Sequence, residues 1–218
     1  MQVASDAVVF TVLNNELQVL LIKRRYPPFK GTYALPGGFL QQHESPEEAA
    51  IRELREETGV QKLHLHQLGA YGDPKRDPRG RVLSVSYIAL ADHHRKLHST
   101  TDALRADWFL VHNLPKLAFD HAKIIEDALV HLRLEIQTTN IAYQILTRKF
   151  TLSQLQKLYE LILEKKLDKR NFRKKIKELD LLEETKELFR EGAHRPAMLY
   201  RFRDREYKPL SEKIQAFL

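Results

Sequence analysis

The chain has 218 residues, enough for one large domain or two small ones. With 43% hydrophobic and 30% charged residues it has the makings of a globular core and is not grossly disordered. It contains no cysteine, which excludes disulfides and thiolate-bound metal and fits a reducing cytosol; no apolar run approaches membrane-spanning length. The formal charge is +7, and its distribution is uneven: residues 1–140 carry 17 Lys and Arg against 17 Asp and Glu, residues 141–218 carry 19 against 12. The whole cationic excess lies in the last third, which predicts two domains, the second facing a polyanion.

The opening MQVASDAVVFTVL has no basic segment ahead of its apolar stretch, so it does not read as a secretory signal. Ala7–Leu13 and Gln18–Lys23 are apolar and rich in β-branched residues, and Asn14-Asn15 between them marks a hairpin turn. Next comes Lys23-Arg24-Arg25-Tyr26-Pro27-Pro28-Phe29-Lys30, where the proline pair ends the strand. Arg24, Arg25 and Tyr26 are candidates for holding phosphates and stacking a base. Tyr33–Leu40 returns as a strand, interrupted by Gly37-Gly38, where a backbone carbonyl can approach a metal.

Ser45-Pro46-Glu47-Glu48 is a helix start: a capping serine, proline at the first helical position and glutamate three residues after the cap. Gly59 is a helix stop, so the helix runs from Pro46 to about Thr58. Glu53, Glu56 and Glu57 then share an arc of about 100°. Ala50, Ile51 and Leu54 fall opposite and can pack on a sheet, and Arg52 can pair with Glu56 one turn on. Three carboxylates on one face repel one another unless neutralised, and a hard divalent cation does that while also holding phosphate oxygens. Gly38, five residues, Glu44, seven residues, then Arg52-Glu53-Leu54-Arg55-Glu56-Glu57-Thr58-Gly59-Val60 match the Nudix box, G-x5-E-x7-R-E-U-x-E-E-x-G-U with U aliphatic, at every fixed position.

The stretch therefore resembles the Nudix family. The resemblance implies Mg²⁺ or Mn²⁺ bound by Glu53, Glu56 and Glu57 with help from the Gly38 or Gly37 carbonyl. It casts Glu53 and Glu57 as catalytic, Glu53 as ligand or partner of the base, Arg52 as the residue that orients a glutamate, and Glu44 as a supporting pair. The implied reaction is attack of activated water on a phosphorus of a nucleoside diphosphate linked to another moiety. Many hydrolases of the family use a further glutamate outside the box. Here no Glu stands between Glu57 and Glu126, and Asp73, Asp77, Asp92, Asp102 and Asp107 are the acids available before Asp120.

Leu63–Ala70 alternates as a strand, Tyr71–Arg81 is a polar loop and Val82–Ala91 is a strand. The segment GDPKRDPRGRVLSVSYIAL is similar to the loop and strand of Nudix proteins that handle ADP-ribose, and Lys75, Arg76, Arg79 and Arg81 suit a diphosphate. Asp92–Thr101 reads as a loop, Asp107-Trp108-Phe109 as the start of a short strand with Trp108 in the core. Asp120 to about Glu135 reads as a helix capped by Asp120, with Ile124, Ala128 and Leu132 on one stripe. The expected result is an α/β fold, a Nudix α/β/α sandwich with a mixed sheet over residues 1–137. Gln137–Asn140 is the expected linker.

In residues 138–218, Ile141–Arg148 reads as a short helix. Thr151-Leu152-Ser153-Gln154 has capping-box spacing, and the helix it opens puts Leu152, Leu155, Leu158, Ile162 and Leu163 on one face. Asp168 caps a second helix, Lys169 to about Leu181, with Phe172, Ile176 and Leu179 inward and Lys169, Arg170, Asn171, Arg173, Lys174 and Lys177 as candidate DNA contacts. Residues 195–203, with Glu183–Arg190 leading in, read as a wing that offers Arg201 and Arg203. Helix, turn, basic helix and wing make a winged helix-turn-helix. Over nearly its whole length the chain is similar to the Nudix-related transcriptional regulators, a bacterial family. That resemblance implies a homodimeric cytoplasmic protein, associated with the nucleoid, that binds double-stranded operator DNA under control of ADP-ribose, a related nucleotide or a sugar phosphate. The alternative is a Mg²⁺-dependent ADP-ribose pyrophosphatase with a C-terminal oligomerisation domain.

Overall fold

A computed structural model of the chain describes residues 1–91, 97, 103–190 and 196–210. Contacts divide it into two compact units, Met1–His131 and Leu132–Leu218.

The first unit is built on a seven-stranded mixed sheet. β1 (Gln2–Leu13) and β2 (Glu16–Arg24) form the expected hairpin. Asn14 and Asn15 both take positive φ, 53° and 63°, as the two central residues of a tight primed turn require. β3 (Tyr33–Ala34) and β4 (Gly37–Phe39) split the expected third strand: β3 pairs with β2 and β4 with β1. β6 (Val82–Leu90) runs parallel to β1, and β5 (His66–Tyr71) and β7 (Ala103–Leu110) complete the sheet antiparallel to β6 and β2. The expected loop Asp92–Thr101 falls, except for Leu97, outside the described residues.

Helix α1 (Pro46–Thr58) has the bounds expected of it. Ser45 accepts the Glu48 amide while the Glu48 carboxylate accepts the Ser45 amide, and Gly59 closes the helix at φ 75°. Ala50 and Leu54 sink into a cluster with Ala7, Val9, Leu20 and Ala89, against which Trp108 packs. Ile51 does not join them; it is 44% exposed, and Ala49 is buried instead. The inward arc of α1 is therefore turned one residue from the expected one, because it must also bring Glu57 and Thr58 into the interior. Val8 and Phe10 are as buried as Ala7 and Val9, so β1 is covered on both faces.

Helix α2 runs His121–Thr138, with Ile124, Ala128 and Leu132 buried. The stretch 137–140 is not a free connector. Gln137 and Thr138 finish α2, the Thr139 hydroxyl donates to the Glu135 carbonyl at 2.8 Å, and the Asn140 side chain bonds the backbone of Glu206 and Lys208, both at 2.8 Å.

In the second unit, Ile141–Gln144 is a single 3₁₀ turn in place of the longer helix expected there. β8 (Phe150–Thr151), β9 (Leu182–Phe189) and β10 (Ala197–Phe202) form an antiparallel sheet in the order β8-β10-β9. α3 (Leu152–Leu163) carries the full capping box, Thr151 with Gln154, and α4 (Lys169–Glu178) is capped by Asp168, whose side chain accepts the Asn171 amide. α4 stops three residues short of the expected end, since Leu182 already belongs to β9. Tyr159 and Phe172 meet edge to face at 5.4 Å between α3 and α4, and Phe150 meets Phe202 at 5.1 Å between β8 and β10.

Candidate ligand cleft and nucleic-acid face

In the first unit a cleft of about 370 Å³ opens beside α1 and the β3–β4 turn. Of the residues read from sequence, Gly38, Arg52, Glu53 and Glu57 line it, as do Arg24, Arg25, Tyr26, Arg76 and Arg79. Glu56, Lys75 and Arg81 are outside the lining; Arg81 reaches back to the Gly72 carbonyl.

Arg52 organises the box. Nε and Nη2 donate to the two Glu44 carboxylate oxygens at 2.9 and 2.6 Å, and Nη1 donates to Glu53 at 2.7 Å, with Glu56 at 3.5 Å. The bonds to Glu44 first, then those to Glu53, push its pKa up and hold the guanidinium charged, while the same bond from Arg52 lowers that of Glu44. Glu57 is buried and accepts the Gly37 amide at 2.9 Å. A Cβ at position 38 would stand 2.2 Å from the Glu53 carboxylate and push it from its place in the cleft.

The opposite wall is cationic and aromatic. The Arg24 guanidinium lies 4.9 Å from the centre of the Phe119 ring, and Arg79 lies 5.6 Å from the same ring and 4.8 Å from Phe39. Phe119 takes φ +52°, a strained backbone position for a bulky residue. Burial, then the neighbouring charge of Arg79, lowers the pKa of Arg24. Asp77 is buried and grips Arg79 through Nε at 3.0 Å and Nη2 at 2.7 Å. Burial opposes the charge on Asp77, but the bonds from Arg79 outweigh it and hold its pKa below the usual carboxylate value.

Arg76 lines the cleft yet is occupied. It forks onto Asp120 at 2.9 and 2.8 Å and lies 3.7 Å from Asp6. Burial opposes its charge; the bond to Asp120 and the charges of Asp6, Asp120 and Asp77 raise its pKa nonetheless. Asp120 does precede α2, but its carboxylate serves Arg76. His121 is fully enclosed: Nδ1 accepts the Leu35 amide at 2.8 Å, which places the proton on Nε2, 3.8 Å from Asp6. Burial lowers its pKa.

Carboxylates are the donors a hard divalent cation takes. Glu53 and Glu57 open on the same cleft, so the donor types fit Mg²⁺ or Mn²⁺. Among the described residues, no three acidic or histidine side chains are gathered around one point; Glu53 and Glu56 both face Arg52 Nη1, at 2.7 and 3.5 Å.

In the second unit Phe172 and Ile176 bury one side of α4. Lys169, Arg170, Asn171, Lys174 and Lys177 are exposed, and at 100° per residue Arg170 and Lys174 lie farthest from the buried side. Lys174 stands 4.0 Å from Glu178, an exposed pair of little strength. The wing arginines are placed differently. Arg201 is paired with Glu183, and Arg203 with Asp180 at 3.0 Å.

A model of the Nudix domain matches residues 4–128, and one of the NrtR DNA-binding winged helix domain matches residues 142–202. The chain is 36% identical over 206 residues to an ADPR responsive transcriptional repressor, NtrR, of Acinetobacter baylyi, covering 93% of this chain and 82% of that one. The chain belongs to the NrtR family of Nudix-related transcriptional repressors. A solved structure of NrtR from Shewanella oneidensis, complexed with a 27mer DNA, superposes with a TM-score of 0.82 at 34% identity, over 92% of this chain and 93% of that one. The Nudix domain of the same NrtR, complexed with ADP ribose, superposes with a TM-score of 0.57 at 35% identity, over 60% and 87%. An ADP-ribose pyrophosphatase of Methanocaldococcus jannaschii is 48% identical over 116 residues, 53% of this chain and 68% of that one.

Asp6, Phe39, Phe119 and His121 line the cleft and were not singled out in sequence. They come from two strands, a turn and the first residue of α2, far apart in the chain. Of the acids that the sequence offers between Glu57 and Asp120, Asp77 lines the cleft.

Proposed function

We propose that this chain is a ligand-responsive transcriptional repressor. Its first unit binds ADP-ribose or a closely related nucleotide, and its second lies on double-stranded operator DNA as a homodimer. The observation that carries the reading is the exposed cationic side of α4, in a chain whose cleft presents Arg24, Arg25 and Arg79 to a diphosphate. A helix that faced its own fold would not leave Arg170 and Lys174 outermost. Two such helices reading a pseudo-palindrome need half-sites about one helical turn apart, which a two-fold dimer supplies. In such a bacterial chain the work is cytoplasmic, at the nucleoid. The test is retardation of a duplex enriched from a random library by the full chain, at two salt concentrations, with and without ADP-ribose. Salt-dependent retardation changed by ADP-ribose is expected; retardation absent or insensitive to salt refutes the reading.

A second activity is favoured by one observation, the intact Glu53 and Glu57 on the cleft wall. With Glu56 they would hold Mg²⁺ or Mn²⁺, which supplies Lewis-acid activation of water and charge neutralisation at phosphorus. The chain's own part is to position: Gly37 fixes Glu57 through its amide, and Arg52 fixes Glu53.

A further inference from the structure

Among the cations of α4, Arg173 is built differently. It is half-buried, and its Nη2 stands 3.5 Å from the Ser153 hydroxyl on the first turn of α3. Its Nε is shielded from solvent and has no hydrogen-bond partner in the protein. The charge of Arg173 also acts on the hydroxyl of Tyr200 in β10, which donates to Glu184 at 3.0 Å. The guanidinium therefore sits in a corner of α3, α4 and β10 with donor capacity unused. The shielded Nε is out of a ligand's reach; the two terminal Nη groups present the paired donors that a tetrahedral anion takes.

We propose that this corner is a phosphodiester site, in which Arg173 and Ser153 together hold one backbone phosphate of the duplex and fix the register of α4, while Arg170 and Lys174 face the base edges. The inference rests on the DNA-binding reading above. It divides the cations of α4 by what they touch. Those at the outer crest carry sequence preference, and Arg173 carries none. The Glu184 carboxylate accepts the Tyr200 hydroxyl, and its charge opposes a phosphate bound nearby.

The full chain is titrated with two duplexes of equal length and composition: the library-enriched sequence and its scramble. Arg173→Gln is expected to weaken both by the same factor, roughly ten- to a hundredfold, as loss of a hydrogen bond to a charged group implies. The slope of log affinity against log salt should fall by about 0.9, one phosphate contact. Ser153→Ala, at an exposed position, should weaken both duplexes equally and more mildly, and Glu184→Gln should tighten both. Arg170→Gln should instead narrow the gap between the two duplexes. Should Arg173→Gln fail to fold, Ser153→Ala and Glu184→Gln decide alone, through uniform changes of opposite sign. Unchanged affinity, or a loss confined to the enriched sequence, overturns the phosphate site. No binding of either duplex by the unaltered chain would instead refute the DNA-binding reading on which it rests.

Discussion

Asp120→Ala isolates a buried charge and gives a large, readable effect. The Arg76 side chain is 3% exposed and donates two short bonds to Asp120, with Asp6 at 3.7 Å as its next carboxylate. Removing one partner of a buried ion pair costs roughly 3–5 kcal/mol, because the other charge is left without solvent or counter-ion. Asp6 and Asp77 still act on Arg76, so the lower end, about 3 kcal/mol, is expected. At about 2–4 °C per kcal/mol for a chain of this size, the melting point of the first unit should drop by roughly 6–12 °C. The assay is available in the sequence. Trp108 is the only tryptophan of the chain and packs on the core of the first unit, so its fluorescence in a urea titration follows that unit. Replacing both partners, Arg76→Met with Asp120→Leu, should cost less than the single change, since the stranded cation is gone and Asp6 keeps the Ser84 hydroxyl. A loss under about 1 kcal/mol for Asp120→Ala, or a double variant no better than the single, would refute the assignment of Arg76 as a structural cation.

The enclosed imidazole of His121 gives a pH dependence of definite sign. Its folded pKa is lowered by burial, so below about pH 6.5 the unfolded chain takes up a proton that the fold refuses. Stability should therefore fall as pH drops from about 6.5, and His121→Gln should flatten that fall in Trp108-monitored unfolding; identical slopes in both proteins would count against it. Leu54→Ala should cost roughly 2–5 kcal/mol, and Ile51→Lys, one turn away in sequence but exposed, within about 0.5 kcal/mol, by the same measurement. Equal costs would mean that α1 is rotated from the orientation described. For the box, phosphate-ester product release from ADP-ribose with Mg²⁺ should fall at least about a hundredfold in Glu57→Gln, which can still accept the Gly37 amide. Equal release by both proteins would remove box chemistry from this chain.

What could be read in the sequence was what short-range rules control. The α1 bounds follow from Ser45, Glu48 and Gly59, and the hairpin turn from Asn14-Asn15, because caps and primed turns are satisfied within a few residues. The α3 and α4 caps at Thr151 and Asp168 follow for the same reason. The Glu53 and Glu57 pair was legible since helical spacing alone puts both on one arc. The facing wall of the cleft was not. Phe39, Phe119, Asp6 and His121 acquire their meaning from strand pairing and from the start of α2, and none stands in a spacing that marks it.

The basic loops show the same division more sharply. Composition treats Arg76, Arg79, Arg201 and Arg203 alike, as cations in polar or wing segments. The fold gives them different work: Arg76 is committed to Asp120, Arg79 shares Asp77 while its guanidinium lies against two rings, and the wing pair faces Glu183 and Asp180. A count of charges locates the polyanion-facing third of the chain, because long-range attraction depends on net charge. It cannot say which cation touches the polyanion, because that depends on which carboxylate the tertiary structure brings within reach first. In α4 the helix itself decides. Phe172 and Ile176 fix the buried side, and Arg170 and Lys174 opposite them are exposed.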